Sequence, residues 1–119
     1  MRFAALHKFC VSFPGATEDV QWENDLLFRV GGKIFAIVGF NAKGPQGLCF
    51  KCTPQKFAEL TKKKGIIPAP YVARYYWVAL ENLNALRAPQ IKALIKESYQ
   101  MVYEKLPGKL KSKVLAAKK

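Results

Sequence analysis

Residues 26–40 read Leu-Leu-Phe-Arg-Val-Gly-Gly-Lys-Ile-Phe-Ala-Ile-Val-Gly-Phe, and this run decides the fold. Leu26, Phe28 and Val30 alternate with Leu27 and Arg29, the period-two pattern of a strand with two unlike faces. Gly31-Gly32 follows at once, and because both glycines tolerate positive φ, a two-residue hairpin fits there. Lys33 to Phe40 is apolar on both faces, as a central strand is. Two strands joined by a tight turn set an antiparallel sheet as the framework.

Beyond this hairpin, Asn41 to Gly47 holds two glycines and a proline and reads as a second hairpin loop, with Leu48 to Cys52 as the third strand. Thr53-Pro54 then opens a helix: threonine caps free amides and proline fits the first turn. Phe57 and Leu60 follow at helical spacing, Lys62-Lys63-Lys64 suit the carboxyl end of the dipole, and Gly65 stops the helix. Ile66 to Pro70 is an extended segment, and Tyr75 to Leu80 is a strand. From Pro89 to about Leu106, the residues Ile91, Leu94, Ile95, Ser98, Tyr99, Val102 and Leu106 form an apolar stripe at 3.6-residue spacing.

Before the hairpin, Phe3, Leu6, His7 and Cys10 place a short amphipathic helix at the start, ended by Ser12-Phe13-Pro14-Gly15. The acidic stretch Thr17 to Asp25 reads as a solvated loop. The expected order is α-β-β-β-α-β(β)-α, an α+β domain whose antiparallel sheet is flanked by helices. Residues 1–107 make one domain, and 108–119, with five lysines and no acid, read as a basic, flexible tail.

At 119 residues the chain is long enough for a core without metals or disulfide staples. Its formal net charge is +12, spread unevenly. Residues 1–30 are net −1, whereas residues 31–119 carry seventeen Lys and Arg against four acids. A positive surface of this size attracts polyanions. No apolar run approaches the ~20 residues needed to cross a bilayer. The start has no signal peptide, and three cysteines, an odd number, suit reduced thiols; a cytoplasmic location is expected.

These pieces, in their order, resemble one family, the MmcQ/YjbR-like proteins. The matching stretches are Phe13-Pro14-Gly15 with Glu18, Val30 to Ala36, Leu48 to Cys52 with Pro54, Ile67 to Tyr71, Trp77-Val78 and Ser98-Tyr99. The resemblance covers roughly residues 3–107. It implies a compact fold similar to CyaY-like or secretion-chaperone-like domains, and a DNA-binding role through a "double wing" surface. One place departs from the pattern. Where the family commonly has Tyr-His-Met-Asn-Lys-x-His-Trp, this chain has Tyr71-Val72-Ala73-Arg74-Tyr75-Tyr76-Trp77. Both histidines and the asparagine are gone while a cation survives, which puts imidazole chemistry there in doubt.

Catalysis has little to work with, and the chain is read as a non-enzyme. His7 is the single histidine, and no Ser-His-acid or Cys-His set assembles. Ser98 is read as close helix packing or a bond to a backbone carbonyl. Cys49 and Cys52 have the spacing of a zinc or redox pair, but on a strand they point to opposite faces and no second pair completes a site. No cofactor, metal or small-molecule substrate is indicated.

Binding of DNA is the expectation that remains. Phosphate contacts need Lys or Arg, and aromatic faces add stacking. The candidates are Arg29, Lys33, Lys43, Lys51, Arg74 and Tyr76, with Arg29 and Lys51 expected to share the sheet face opposite the core and Trp77 and Phe35 expected in the core. Against each stands the ordinary reading, that an exposed lysine is a solvated charge. The alternative function is a protein-interaction module, chaperone-like or homodimerising, in which the charge is incidental.

Overall fold

The computed structural model describes residues 1–21, 24–41, 44–69 and 75–116. Helix α1 (Phe3–Val11) leads into strands β1 (Ala16–Gln21), β2 (Asp25–Val30), β3 (Lys33–Asn41) and β4 (Gly44–Lys51). Then come α2 (Pro54–Leu60), β5 (Ile66–Pro68), β6 (Trp77–Leu80), α3 (Ala88–Glu104) and α4 (Gly108–Ala116). All neighbouring strands pair antiparallel in one six-stranded sheet of order β1-β2-β3-β4-β6-β5. The fold is α+β.

The Gly31-Gly32 turn carries φ of 57° and 82°, values that cost an L side chain energy, and it closes β2 on β3 with Val30 opposite Lys33. Strand parity then divides the sheet. Leu26, Phe28 and Val30 of β2, Leu48 and Phe50 of β4, and Val78 and Leu80 of β6 are buried in one core with Leu6, Ile91, Ile95 and Tyr99 from the helices. Burying each large side chain of this kind is worth about 1.5–3 kcal/mol, so these residues supply most of the drive to fold.

One irregularity organises the middle of the sheet. Phe28 pairs with Ala36 but Arg29 pairs with Ile34, so Phe35 is an extra residue, a β-bulge. The bulge lets Phe35 and Ala36 both face the core, each fully buried. The β3–β4 pairing runs no further toward this end than Ala36 opposite Phe50. There the Ser98 hydroxyl of α3 takes over: it donates to the Phe35 carbonyl at 2.7 Å and accepts from the Lys51 amide at 3.0 Å. A helix side chain thus supplies the bridge that the separated strands no longer make.

The neighbouring Tyr99 ties the other motif residues together. Its ring stacks on Phe13 with centroids 4.5 Å apart, and its hydroxyl donates to the Pro14 carbonyl at 2.6 Å. Gly15, at φ 69°, faces Val114 of α4, whose side chain lies 3.2 Å from where a Cβ would stand. The bend after α1 is therefore the seat of the last helix.

Three expectations are corrected. The acidic stretch is not a loop at its start: Ala16–Gln21 is an edge strand, with Glu18 accepting a 2.6 Å contact from His7 and Asp19 held by Arg29. Residues 108–116 are helix α4, with Val114 buried against the core, where a flexible tail is expected. Trp77 lies on the sheet face away from the core and is half-buried, because Val78 and Leu80 take the inward positions of β6. Among the described residues no helix is long and apolar enough to cross a membrane.

Candidate nucleic-acid interface

Three lysines meet at one end of the sheet. The β2–β3 hairpin, the last residue of β4 and the carboxyl end of α3 meet there, enclosing a cleft of about 260 Å³ lined by Lys33, Ile34, Lys51, Trp77, Val102, Lys105 and Leu106. Each lysine arrives by a different route. Lys33 follows the glycine turn and is exposed. Lys51 ends β4, its amide fixed by Ser98. Lys105 is the residue that caps the carboxyl end of α3.

Lys51 and Lys105 are in side-chain contact, and the ammonium of Lys51 is held below its ordinary pKa of 10.5, first by partial burial and then by Lys105. Glu104, the acid next in sequence to Lys105, pairs with Lys111 of α4 at 3.5 Å and also lines the neighbouring groove. Two like charges brought together, with Lys33 lining the same cleft, form a site that an anion would relieve.

A second, larger groove of about 580 Å³ adjoins the first and shares Lys51 and Lys105 with it. Its walls are Cys52, Thr53 and Pro54 on one side, Tyr75 and Tyr76 on another, and Glu97, Gln100, Met101 and Glu104 of α3. Tyr76 has φ of 64°, uncommon for a residue with a side chain. The conformation is fixed by Cys52, whose amide and thiol both donate to the Tyr76 carbonyl, at 2.9 and 3.3 Å. The Tyr76 ring meets Phe57 of α2 edge-on at 5.7 Å, while Tyr75 and Tyr76 remain 51% and 41% exposed.

Of the six sequence candidates, Lys33 and Lys51 line one cleft and Tyr76 lines the groove beside it. Arg29 is elsewhere: its Nε donates to Asp19 at 3.0 Å and its Nη1 to the Gly32 carbonyl at 3.1 Å. Lys43 and Arg74, with Tyr71, lie outside the described residues. Sequence reading missed Lys105, since nothing local marks a lysine at a helix end as the neighbour of a strand residue so far back in the chain. The one available signal was its position one turn past Met101 on the α3 stripe side.

Burial disfavours the thiolate at all three cysteines. Burial pushes Cys10 up to about 12, and Cys49 and Cys52 up to about 11, with nearby Asp25 and Glu97 adding to the last two. Cys52 belongs to the core whereas Cys49, by parity, faces the other side of the sheet. Among the described residues no three His, Cys, Asp or Glu are grouped to hold a metal ion.

Comparison with known proteins agrees with this architecture. The family model described as YjbR matches residues 11–101. The crystal structure of the Deinococcus radiodurans protein DR2400, which has a DUF419 domain, superposes with a TM-score of 0.81 at 20% identity, covering 93% of this chain and 86% of that one. A Pseudomonas syringae protein superposes with a TM-score of 0.68 at 25% identity, covering 86% of this chain and 99% of that one. No curated protein matches this sequence.

Proposed function

The chain belongs to the YjbR family, and from that premise we propose that it binds DNA with little sequence specificity through the lysine cleft at the end of its sheet. The observation that carries this reading is the convergence of Lys33, Lys51 and Lys105 on one cleft. Ammonium groups neutralise phosphates, and phosphate contacts carry affinity without reading bases. The role is binding rather than catalysis, because the cleft offers cations and carbon but no activated nucleophile. Lys43 and Arg74, outside the described residues, are kept as proposed phosphate contacts on their charge alone.

The test is a salt titration of binding to duplex DNA. Log affinity falls linearly with log salt at about −0.9 per phosphate neutralised, so three lysines give a slope near −2.7 or steeper. Lys51→Ala is expected to weaken binding to unrelated sequences equally and to flatten the slope by about 0.9. Absence of binding at low salt refutes the proposal.

A second reading is supported by the sheet's two ends. Val20 on β1 is 64% exposed and Ile67 on β5 is 41% exposed, and these two strands close the strand order. Such edges pair readily with another chain. Sedimentation over a concentration series distinguishes this reading: a dimer lost on Val20→Lys supports edge pairing, and a monomer throughout removes it.

A further inference from the structure

We infer that the two adjoining grooves take one nucleotide of an unpaired strand, its phosphate between Lys33, Lys51 and Lys105 and its base against Tyr75 and Tyr76. The inference rests on the nucleic-acid reading above and names the form of the ligand.

The argument begins with what lies on either side of the lysine pair. Lys51 and Lys105 line both grooves, so an anion held by them sits at the boundary and whatever is attached to it extends into one or the other. The cleft on the Lys33 side is small, about 260 Å³, and holds the third cation. The groove on the other side is about 580 Å³, within the range of sites for nucleotide-sized ligands, and offers Cys52, Pro54, Tyr75, Tyr76 and Met101. Ring faces find no base face to stack on in a duplex, whose bases are stacked on each other and turn only their edges outward. They stabilise a base that has left its stack, since every base has a π-face and stacking on an aromatic side chain is tolerant of sequence.

Tyr76 is held for this use. The positive φ of Tyr76, pinned by the two contacts from Cys52, sets the Tyr76 ring near-perpendicular to that of Phe57. A ring so buttressed loses little freedom when a base settles against it. Charge placement agrees. Glu97 and Glu104 lie along the α3 wall of the large groove, where a phosphate would be repelled and where a neutral base is admitted. The phosphate end and the base end of the site are thereby distinguished by charge.

The experiment compares four ligands at one low salt concentration by fluorescence anisotropy. They are a labelled ten-residue oligothymidylate, an abasic strand of equal length, a ten-base-pair duplex, and unlabelled thymidine 5′-monophosphate as competitor. The expected result is at least tenfold tighter binding of the thymidylate strand than of the abasic strand or the duplex. Tyr75→Ala, with an unchanged melting temperature, is expected to bring thymidylate down to the abasic level. Lys51→Ala and Lys105→Ala are expected to weaken all strands together and to flatten the single-strand salt slope by about 0.7 each. A duplex that binds as tightly as the single strand, or an abasic strand as tightly as thymidylate, overturns this inference while leaving DNA binding intact. Binding of the monophosphate on its own, read by isothermal titration calorimetry, with no polymer binding keeps the phosphate-and-ring site and overturns the nucleic-acid reading. Failure of all four overturns both.

Discussion

Replacing Ser98 with alanine removes one oxygen and orphans two backbone groups. The hydroxyl is fully buried and lies between the Phe35 carbonyl, 2.7 Å away, and the Lys51 amide, 3.0 Å away. Neither group has a strand partner to fall back on, since the β3–β4 pairing toward this end stops at Ala36 and Phe50. Each buried group left without a partner costs about 1–3 kcal/mol, and alanine returns a little through better helix propensity. The expected loss for Ser98→Ala is therefore about 2–4 kcal/mol. For a chain of this length that lowers the melting temperature by roughly 10 °C. Urea unfolding should show a lower midpoint with an unchanged slope, because the exposed surface is the same. Amide hydrogen exchange gives the local check: the Lys51 amide should exchange much faster, and the Phe50 amide, still in its ladder, should not. A loss below about 0.5 kcal/mol with Lys51 exchange unchanged would falsify the claim that the hydroxyl closes the gap.

The turn glycines should separate cleanly in thermal melts. Gly31→Ala adds a Cβ 2.7 Å from Leu106 at φ 57° and is expected to cost more than 2 kcal/mol, whereas Gly32→Ala meets nothing within 4 Å and should cost only the conformational ~1 kcal/mol. Equal losses would contradict this seating of Leu106. Lys51→Met should raise the melting temperature at pH 7 while weakening DNA binding, because the native protein holds that ammonium against Lys105. The gain should shrink at alkaline pH: the lowered folded pKa makes native Lys51 stabilising only as pH climbs through that value toward 10.5, where the charge is lost. A fall in stability at pH 7 would refute the strained pair. Asp19 is held below its ordinary 3.8 by hydrogen bonds from Gln21 and then Arg29, so its contribution is present above that value and lost as pH falls through its lower folded pKa. Asp19→Asn should remove this part of the acid-side decline, and an identical acid profile would show that the pair contributes nothing.

Sequence patterning was a good guide wherever burial was one-sided. The alternation of Leu26, Phe28 and Val30 gave β2, its partner and the hairpin between them, and the α3 stripe predicted Ile91, Leu94, Ile95, Ser98 and Tyr99 as its inner face, all buried. It failed where an element has no apolar face to show. Strand β1 exposes Thr17, Glu18, Val20 and Gln21, so nothing periodic announces it, and its conformation comes from pairing with β2. Helix α4 is rich in lysine and keeps only Val114 buried, with Leu110 half-buried; its place depends on the glycine at position 15. The site was legible in part for the same reason. Lys33 and Lys51 could be picked out as cations at strand ends, but joining them to Lys105 requires knowing how α3 crosses the sheet. Arg29 shows the converse error of reading charge without partners: parity puts it on the expected face, where Asp19 and Gly32 hold it.

The bridge made by Ser98 also sets an order of events during synthesis. Strands β1 to β4 pair in sequence, each with the one just made, and need nothing beyond residue 51 to do so. The end of that meander stays unsealed, and its core face is covered only by α1 and the bend after it, until α3 is available to pack. A chain broken off before residue 98 therefore presents a sheet whose apolar face is covered on one side only, a surface prone to aggregation. The same serine that anchors Lys51 at the cleft thus joins the first half of the chain to its last long helix.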